Sequence, residues 1–245
     1  MKGTRGVDPT VVVRAARGET RAVVLVLYGG KADSSERSRP WHLSAVRMSP
    51  FARQISRRLA REGVAVWTLR YRVRGWNGAE ASPVADARWA LDEIRRRTGH
   101  GRAASRPGHQ PTQQENKVPV VLVGHSMGGR TALRVADDPQ VVGIVALAPW
   151  LPPGEPRVRL GVRRLLVVHG TVDRWTDPHA SQAYVEGARA AGTPAHWIPM
   201  RGHGHFMLRE RGTWRRLTTQ FVAEVVGDVL AQAEESSAPN SPHNG

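Results

Sequence analysis

The sequence contains no cysteine and very little lysine. None of its 245 residues is Cys, which excludes a disulfide scaffold, a thiolate zinc site and a cysteine nucleophile. Its lysines are Lys2, Lys31 and Lys117, so 33 of the 36 basic residues are arginines. If the chain uses a nucleophile, that nucleophile is expected to be another residue type, with serine the natural candidate.

Long apolar runs are also missing. The run 11–13 near the N-terminus is too short for the core of a signal peptide. The run 22–28 has the length of a strand, far below the roughly 20 residues of a membrane-spanning helix. We therefore expect a cytoplasmic protein that does not insert into a membrane.

Acidic residues are scarce relative to basic ones, which gives a net charge of +15. Such a charge would suit nucleic acid or an anionic membrane as a partner. However, an excess made almost entirely of arginine, beside abundant Ala, Gly and Val, indicates a skewed composition. No helix-turn-helix, RNP, KH or zinc pattern accompanies it. We expect a small-molecule substrate and no specific nucleic-acid partner, and the oligomeric state stays open.

Apolar β-branched runs alternate with segments of helical periodicity. The predicted strands are 22–28, 64–69, 118–123, 141–147, 164–168 and 195–198, with a further pair at the edge around 11–16 and 21 onward. The predicted helices are 49–61, 82–98, a segment ending near 136, 179–191 and 207–233. This alternation predicts an α/β fold, a mostly parallel sheet with helices on both faces.

The pattern continues without a break in composition, so a single domain is predicted over residues 1–233. Within it, the polar Gly/Pro-rich stretch 99–117 has no periodicity and is predicted to be a flexible insertion. The polar end of the chain, 234–245, is predicted to be a disordered tail.

A Gly-x-Ser-x-Gly motif is the most informative stretch. Gly124, Ser126 and Gly128 lie between a predicted strand and a predicted helix, the context in which a serine stands exposed on a sharp turn. The two glycines allow the strand and the helix to approach closely. Met127 would then offer its backbone N–H at a helix N-terminus, where a developing oxyanion is stabilised.

Acid and base candidates follow in chain order. Asp173 comes just after the strand 164–168, and it is preferred to Asp177, since Asp-Pro before a helix usually forms a cap or turn. His205, on a glycine-rich loop after the last strand, is preferred to His203 as the base. His125 is interpreted as a support for the serine turn and His169 as a residue packed beneath the acid loop.

The order Ser126, Asp173, His205 resembles that of the α/β-hydrolase superfamily. Four stretches carry the resemblance, namely Tyr28-Gly29-Gly30, the motif around Ser126, His169 to Asp173, and Gly202 to His205. It implies a catalytic triad, with Gly30 or Lys31 as the second oxyanion donor beside Met127. It implies neither a metal nor an organic cofactor. Tyr28 departs from the His-Gly that members often carry at this position.

In this superfamily a cap that selects the substrate usually follows the fourth strand. The corresponding stretch 149–161 is short and Pro-rich, so a minimal cap is expected. Trp41, Trp150 and Trp175 either line an acyl pocket or act as buried anchors. The resemblance implies a serine hydrolase for a small or medium acyl ester, thioester or amide. Alternatives are a non-catalytic binding protein of this fold, an acyltransferase and a short-peptide peptidase.

Overall fold

The computed structural model describes residues 8–103 and 117–237. Across these residues the chain forms seven strands and five α-helices. The strands are β1 Thr10–Arg14, β2 Ala22–Leu27, β3 Val64–Arg70, β4 Val120–His125, β5 Val141–Leu147, β6 Arg164–Gly170 and β7 Ala195–Met200. The helices are α1 Leu43–Leu59, α2 Ser82–Ala103, α3 Met127–Arg134, α4 Pro178–Ala190 and α5 Arg211–Ser237.

The strands form one sheet in the order β1-β3-β2-β4-β5-β6-β7. All neighbours are parallel except β1, which runs antiparallel to β3. Every side chain of β2 and β4 is buried, and since successive side chains point to opposite faces, both faces of the sheet are covered. The predicted fold class is confirmed.

The helices cover the sheet in two sets. On one side α1 packs against α5, and Val225 of α5 comes close to Gly143 in β5. On the other side α3 packs against α2 and against β4 and β5. Because the strands are parallel, the loops that leave their carboxyl ends meet at one edge of the sheet, here called the catalytic edge.

Two predictions are wrong, namely the pairing of the first strand and the start of the first helix. The edge strand β1 pairs with β3 rather than with the strand that follows it. The helix predicted from Ser49 begins at Leu43, and Pro50 lies inside it. A proline costs a helix one backbone hydrogen bond, and this helix continues through it because its buried side chains, among them Met48 and Phe51, lie on both sides of the proline.

The two segments predicted to be a flexible insertion and a disordered tail are partly helical. Residues 99–103 of the predicted insertion belong to α2, and residues 234–237 of the predicted tail belong to α5; both helices run past the apolar periodicity that marked their predicted ends. The remainder of each prediction, 104–116 and 238–245, lies outside the described residues. Among the helices that are described, none is long and apolar enough to cross a membrane.

Candidate active site

Ser126 stands on a sharp turn between β4 and α3. Its φ of 56° and ψ of −120° lie outside the regions that L-residues normally occupy. A Cβ on Gly124 would lie 2.1 Å from the Gly128 carbonyl oxygen, and one on Gly128 would lie 2.2 Å from that of Leu27. Any side chain at either position would therefore force the strand and the helix apart.

Ser126, His205 and Asp173 form one chain of hydrogen bonds. The His205 Nε2 lies 3.0 Å from the Ser126 Oγ, and its Nδ1 lies 2.8 Å from the Asp173 Oδ2. These are the distances at which a base takes a proton from a hydroxyl while a carboxylate orients the base. The structure thus brings together the three side chains that the sequence singled out, although they come from three separate loops.

The carboxylate of Asp173 is held ionised by its neighbours. Burial acts to raise its pKa, but the hydrogen bonds from His169 and His205 outweigh burial. Its Oδ1 also accepts the backbone N–H groups of Trp175 at 2.7 Å and of Thr176 at 3.0 Å. The net effect is a pKa well below the usual range of an aspartate. Asp173 can therefore offset a positive charge on His205 at any ordinary pH.

Two further side chains complete the surroundings of the acid. His169 is buried beneath it, with Nε2 3.1 Å from Asp173 Oδ2 and Nδ1 2.8 Å from Ser181 Oγ. The Thr176 hydroxyl donates to the same Oδ2 at 2.9 Å. The position of His169 beneath the acid loop agrees with the interpretation of the sequence. Thr176 could not be predicted, because nothing in the local pattern distinguishes this threonine.

The alternative acid and base lie elsewhere. Asp177 caps α4 by accepting the His179 N–H at 2.8 Å, as the Asp-Pro pattern predicted. His203 is buried, and its Nδ1 accepts the Trp214 indole N–H at 2.9 Å. In this geometry it is His205, not His203, that faces the serine.

His125 precedes the serine and is buried beneath the site. Its Nε2 donates to the carbonyl oxygen of His205 at 3.0 Å. Burial, followed by repulsion from His205, lowers the pKa of His125 to about 3. The ring is therefore neutral, and it connects the turn of Ser126 to the loop of His205.

The two predicted oxyanion donors lie side by side. Met127 is the first residue of α3, so its backbone N–H has no acceptor within the helix. A Cβ on Gly30 would lie 2.5 Å from the Met127 Sδ, which brings the two residues into contact. The Lys31 N–H already donates to the Arg74 carbonyl oxygen at 2.8 Å. Of the two alternatives for the second donor, Gly30 is therefore the one that this geometry favours.

Tyr28 stands where the resemblance leads one to expect histidine. It is buried, its hydroxyl accepts the Tyr71 N–H at 3.2 Å, and it shares a 2.8 Å hydrogen bond with the Ser38 Oγ. These bonds hold the segment after Gly30 against the strand β3. The phenol therefore holds in place the segment that contains Gly30.

The three tryptophans occupy different surroundings. Trp175 is 72% exposed, and its ring stacks at 6.4 Å on that of His205. Trp150 is half-buried beside Trp76, while its backbone N–H donates to the Ser126 carbonyl oxygen at 3.1 Å. Trp41 is 65% exposed, and the Arg39 guanidinium lies over its ring. Trp175 thus borders the catalytic side chains, and Trp150 is an anchor behind the serine.

The stretch predicted as a minimal cap is a short irregular connection. The structure describes all of residues 149–161 and finds neither helix nor strand there. Glu155 fastens it to α3 through ion pairs with Arg130 at 2.6 Å and Arg134 at 3.3 Å. This segment is too small to form a lid domain.

The fold and the serine turn together define an α/β hydrolase, and comparison with protein families agrees. The model of the alpha/beta hydrolase family matches residues 28–166, more than half of the chain. The chain therefore belongs to the alpha/beta hydrolase family. No curated protein sequence matches it.

Solved structures with the same fold include several serine hydrolases. A butyrate-bound esterase from Thermogutta terrifontis is 17% identical with a TM-score of 0.63, covering 93% of this chain and 92% of its own. An alpha-beta serine hydrolase homologue from Coxiella burnetii is 18% identical with a TM-score of 0.60, covering 91% and 95%. A serine hydrolase without lid from Xanthomonas campestris is 16% identical with a TM-score of 0.56, covering 96% and 91%. At these identities the likeness concerns the fold.

Proposed function

We propose that this protein is a serine hydrolase that cleaves small or medium acyl esters through an acyl-enzyme. The observation that carries the proposal is the chain of hydrogen bonds from Ser126 through His205 to Asp173, with the serine held on a strained turn. The esterase from Thermogutta terrifontis was crystallised with butyrate and with propionate, which supports a short acyl group.

The reaction follows from the geometry. His205 accepts the Ser126 proton as the serine oxygen attacks the carbonyl carbon, and Asp173 stabilises the resulting imidazolium. The N–H groups of Met127 and Gly30 stabilise the oxyanion. The imidazolium protonates the departing alcohol, which leaves an acyl group on Ser126. Water, deprotonated by His205, then attacks this ester and regenerates the serine.

The test combines labelling with kinetics. Wild type is expected to react with a fluorophosphonate probe and to hydrolyse p-nitrophenyl esters, with activity highest at short acyl chains. Ser126→Ala should lose labelling and reduce kcat by about 10⁴-fold or more. Ser56→Ala, a serine of α1 outside the catalytic edge, serves as the matched control and should leave both unchanged.

The other outcomes discriminate between the alternatives. A folded wild type that neither labels nor hydrolyses any ester would support a non-catalytic binding protein. Labelling with turnover only when an acceptor alcohol or amine is added would support acyl transfer, and turnover restricted to short peptides would support a peptidase. The cytoplasmic location and the small-molecule partner that the sequence favours stay predictions.

A further inference from the structure

Arg47 of α1 lies beside the catalytic residues although it takes no part in the triad. Its guanidinium carbon lies 4.7 Å from the centroid of the Phe206 ring. That ring is 5.3 Å from the ring of His205. The positive charge of Arg47 also contributes, after burial and the charge of His205, to the low pKa of His125. Arg47 is therefore near enough to the site to act on a bound substrate.

The charge of Arg47 has no acidic partner in the part of the chain that the structure describes. Across residues 8–103 and 117–237, Arg47 forms neither an ion pair nor a hydrogen bond, whereas Arg74 pairs with Glu36 at 2.7 Å. The side chain is only partly exposed, and burial lowers the pKa of its guanidinium. A partly desolvated cation without a counter-charge is unfavourable, so binding of an anion at this position would be favourable.

Three acidic groups in the loops of the catalytic edge already have partners. Asp173 accepts hydrogen bonds from His205 and His169. Glu36 is bound by Arg74, and Glu210 faces His203 at 3.6 Å. A rotation of Arg47 toward any of these carboxylates would compete with a partner that is in place.

The surroundings would strengthen an ion pair at Arg47. The Phe206 ring lies under the guanidinium, and the centroid of the Trp175 ring lies 5.4 Å from that of Phe206. Aromatic walls lower the local polarity, and electrostatic attraction is stronger where water is partly excluded. The guanidinium presents its N–H groups in a planar fork, which suits bidentate binding of a carboxylate or phosphate.

We propose that Arg47 binds an anionic group, a carboxylate or a phosphate, carried by the ester substrate away from its reacting carbonyl. This inference rests on the proposed hydrolase function and narrows its substrate class. The anion can belong to the acyl part or to the alcohol part, and the experiment has one arm for each.

Matched substrate pairs isolate the charge. Phenyl hemiglutarate is compared with its neutral amide, phenyl glutaramate, for the acyl part. For the alcohol part, 4-carboxyphenyl butyrate is compared with 4-carbamoylphenyl butyrate. Wild type is expected to prefer the anion, in kcat/KM, in one of the two arms. Arg47→Met keeps the packing on Phe206 without the charge, so it should reduce that preference about ten- to hundredfold, and Arg47→Lys should reduce it less.

The control variant lies on the same helix. Arg57 is exposed, and among the described residues it too has no acidic partner. It follows Arg47 by ten residues, about 15 Å along the helix axis. Arg57→Met changes the net charge equally and should leave the preference intact. An equal effect of the two variants would overturn the proposal in favour of general electrostatic attraction, as would an anion preference that Arg47→Met does not change.

A binding measurement separates this inference from the proposed function. Ser126→Ala is titrated calorimetrically with phenyl hemiglutarate and with 4-carboxyphenyl butyrate, with and without Arg47→Met. Weaker binding of one anion in the double variant supports the role of Arg47 whether or not the wild type turns over. Equal binding by the single and double variants overturns it. If the wild type fails to label with fluorophosphonate while Arg47-dependent binding persists, the proposed hydrolysis fails and the anion site stands.

Discussion

The ring of His125 donates a hydrogen bond to the carbonyl oxygen of His205, with 3.0 Å between the two atoms. The donor belongs to the residue before Ser126, and the acceptor belongs to His205, whose ring faces that serine. The distance between Ser126 and His205 is thus fixed by a bond that does not involve either reacting atom. A protonated ring could still donate this bond, but it would carry a buried N–H at Nδ1 for which the described residues offer no acceptor, so the neutral ring is favoured.

The protonation of His125 makes the fold sensitive to acid. Its pKa of about 3 in the folded chain lies below the ordinary 6.5, so between these values the unfolded chain binds the proton and the folded chain does not. Stability that is complete above pH 6.5 is therefore lost as the pH falls toward 3. We expect His125 alone to account for about 2 kcal/mol of lost unfolding free energy between pH 7.5 and pH 5.0.

Urea unfolding of wild type and His125→Gln at these two pH values measures the effect. The glutamine amide can keep the bond to His205 but does not titrate, so the variant should lose less stability on acidification. Equal losses in both proteins would contradict the assignment. If His125→Gln changes the unfolding free energy at pH 7.5 but not the loss on acidification, the change reports altered packing and not titration of the ring.

Tyr28→Phe tests whether the hydroxyl of Tyr28 holds the segment that contains Gly30 in place. The ring keeps its edge contact with Tyr71, whose centroid lies 5.0 Å away, but the Tyr71 N–H and the Ser38 hydroxyl lose their partner. We expect an unfolding free energy lower by about 1–3 kcal/mol, together with a fall in kcat larger than any rise in KM. Thermal unfolding and ester kinetics measure the two effects. A fall in stability with unaltered kcat would show that the Tyr28 hydroxyl stabilises the fold but does not affect catalysis.

Gly128→Ala tests the close approach of strand and helix at the serine turn. Its Cβ would lie 2.2 Å from the Leu27 carbonyl oxygen, so the backbone must move and we expect loss of activity and several kcal/mol of stability. Gly227→Ala is the matched control, since that exposed position in α5 has open space around its Cβ. There alanine should stabilise the helix by up to about 1 kcal/mol. Similar melting temperatures for the two variants would contradict this account.

Asp173→Asn tests the ionised acid. Without the carboxylate the imidazolium of His205 loses its counter-charge, so kcat should fall on the order of 10⁴-fold. Because the pKa of Asp173 lies below its ordinary 3.8, wild-type stability tied to this group is complete above that value and lost as the pH falls below it. The variant should lack this part of the acid dependence in unfolding experiments between pH 2 and pH 5. Wild-type activity in Asp173→Asn would exclude the residue as the acid.

The sequence could predict those site residues whose neighbours along the chain form a recognisable motif. Ser126 was identified because its two glycines and the flanking strand and helix are contiguous in the chain. Asp173 and His205 were identified because each follows a recognisable strand. In each case the residue and its context lie within about ten positions of each other.

Contacts between distant segments could not be predicted in this way. Arg47 contacts Phe206 because α1 packs against α5, which follows the loop that carries Phe206. Thr176 lies close to Asp173 in the chain, but their hydrogen bond depends on how the turn between them folds, and no sequence pattern indicates it. The start of α1 was placed too late, since Pro50 is typical of a first turn, whereas packing carries this helix through the proline. The partner of β1 was wrong because pairing depends on sheet order, which sequence neighbourhood does not encode.

The backbone of Ser126, with φ 56° and ψ −120°, has a thermodynamic consequence for the evolution of the chain. Such a conformation costs of order 1–3 kcal/mol for a residue with a side chain, and glycine would adopt it with little strain. Selection for thermal stability alone would therefore replace this serine. Its presence on this strained backbone means that the molecule has given up part of its stability to hold a hydroxyl beside His205.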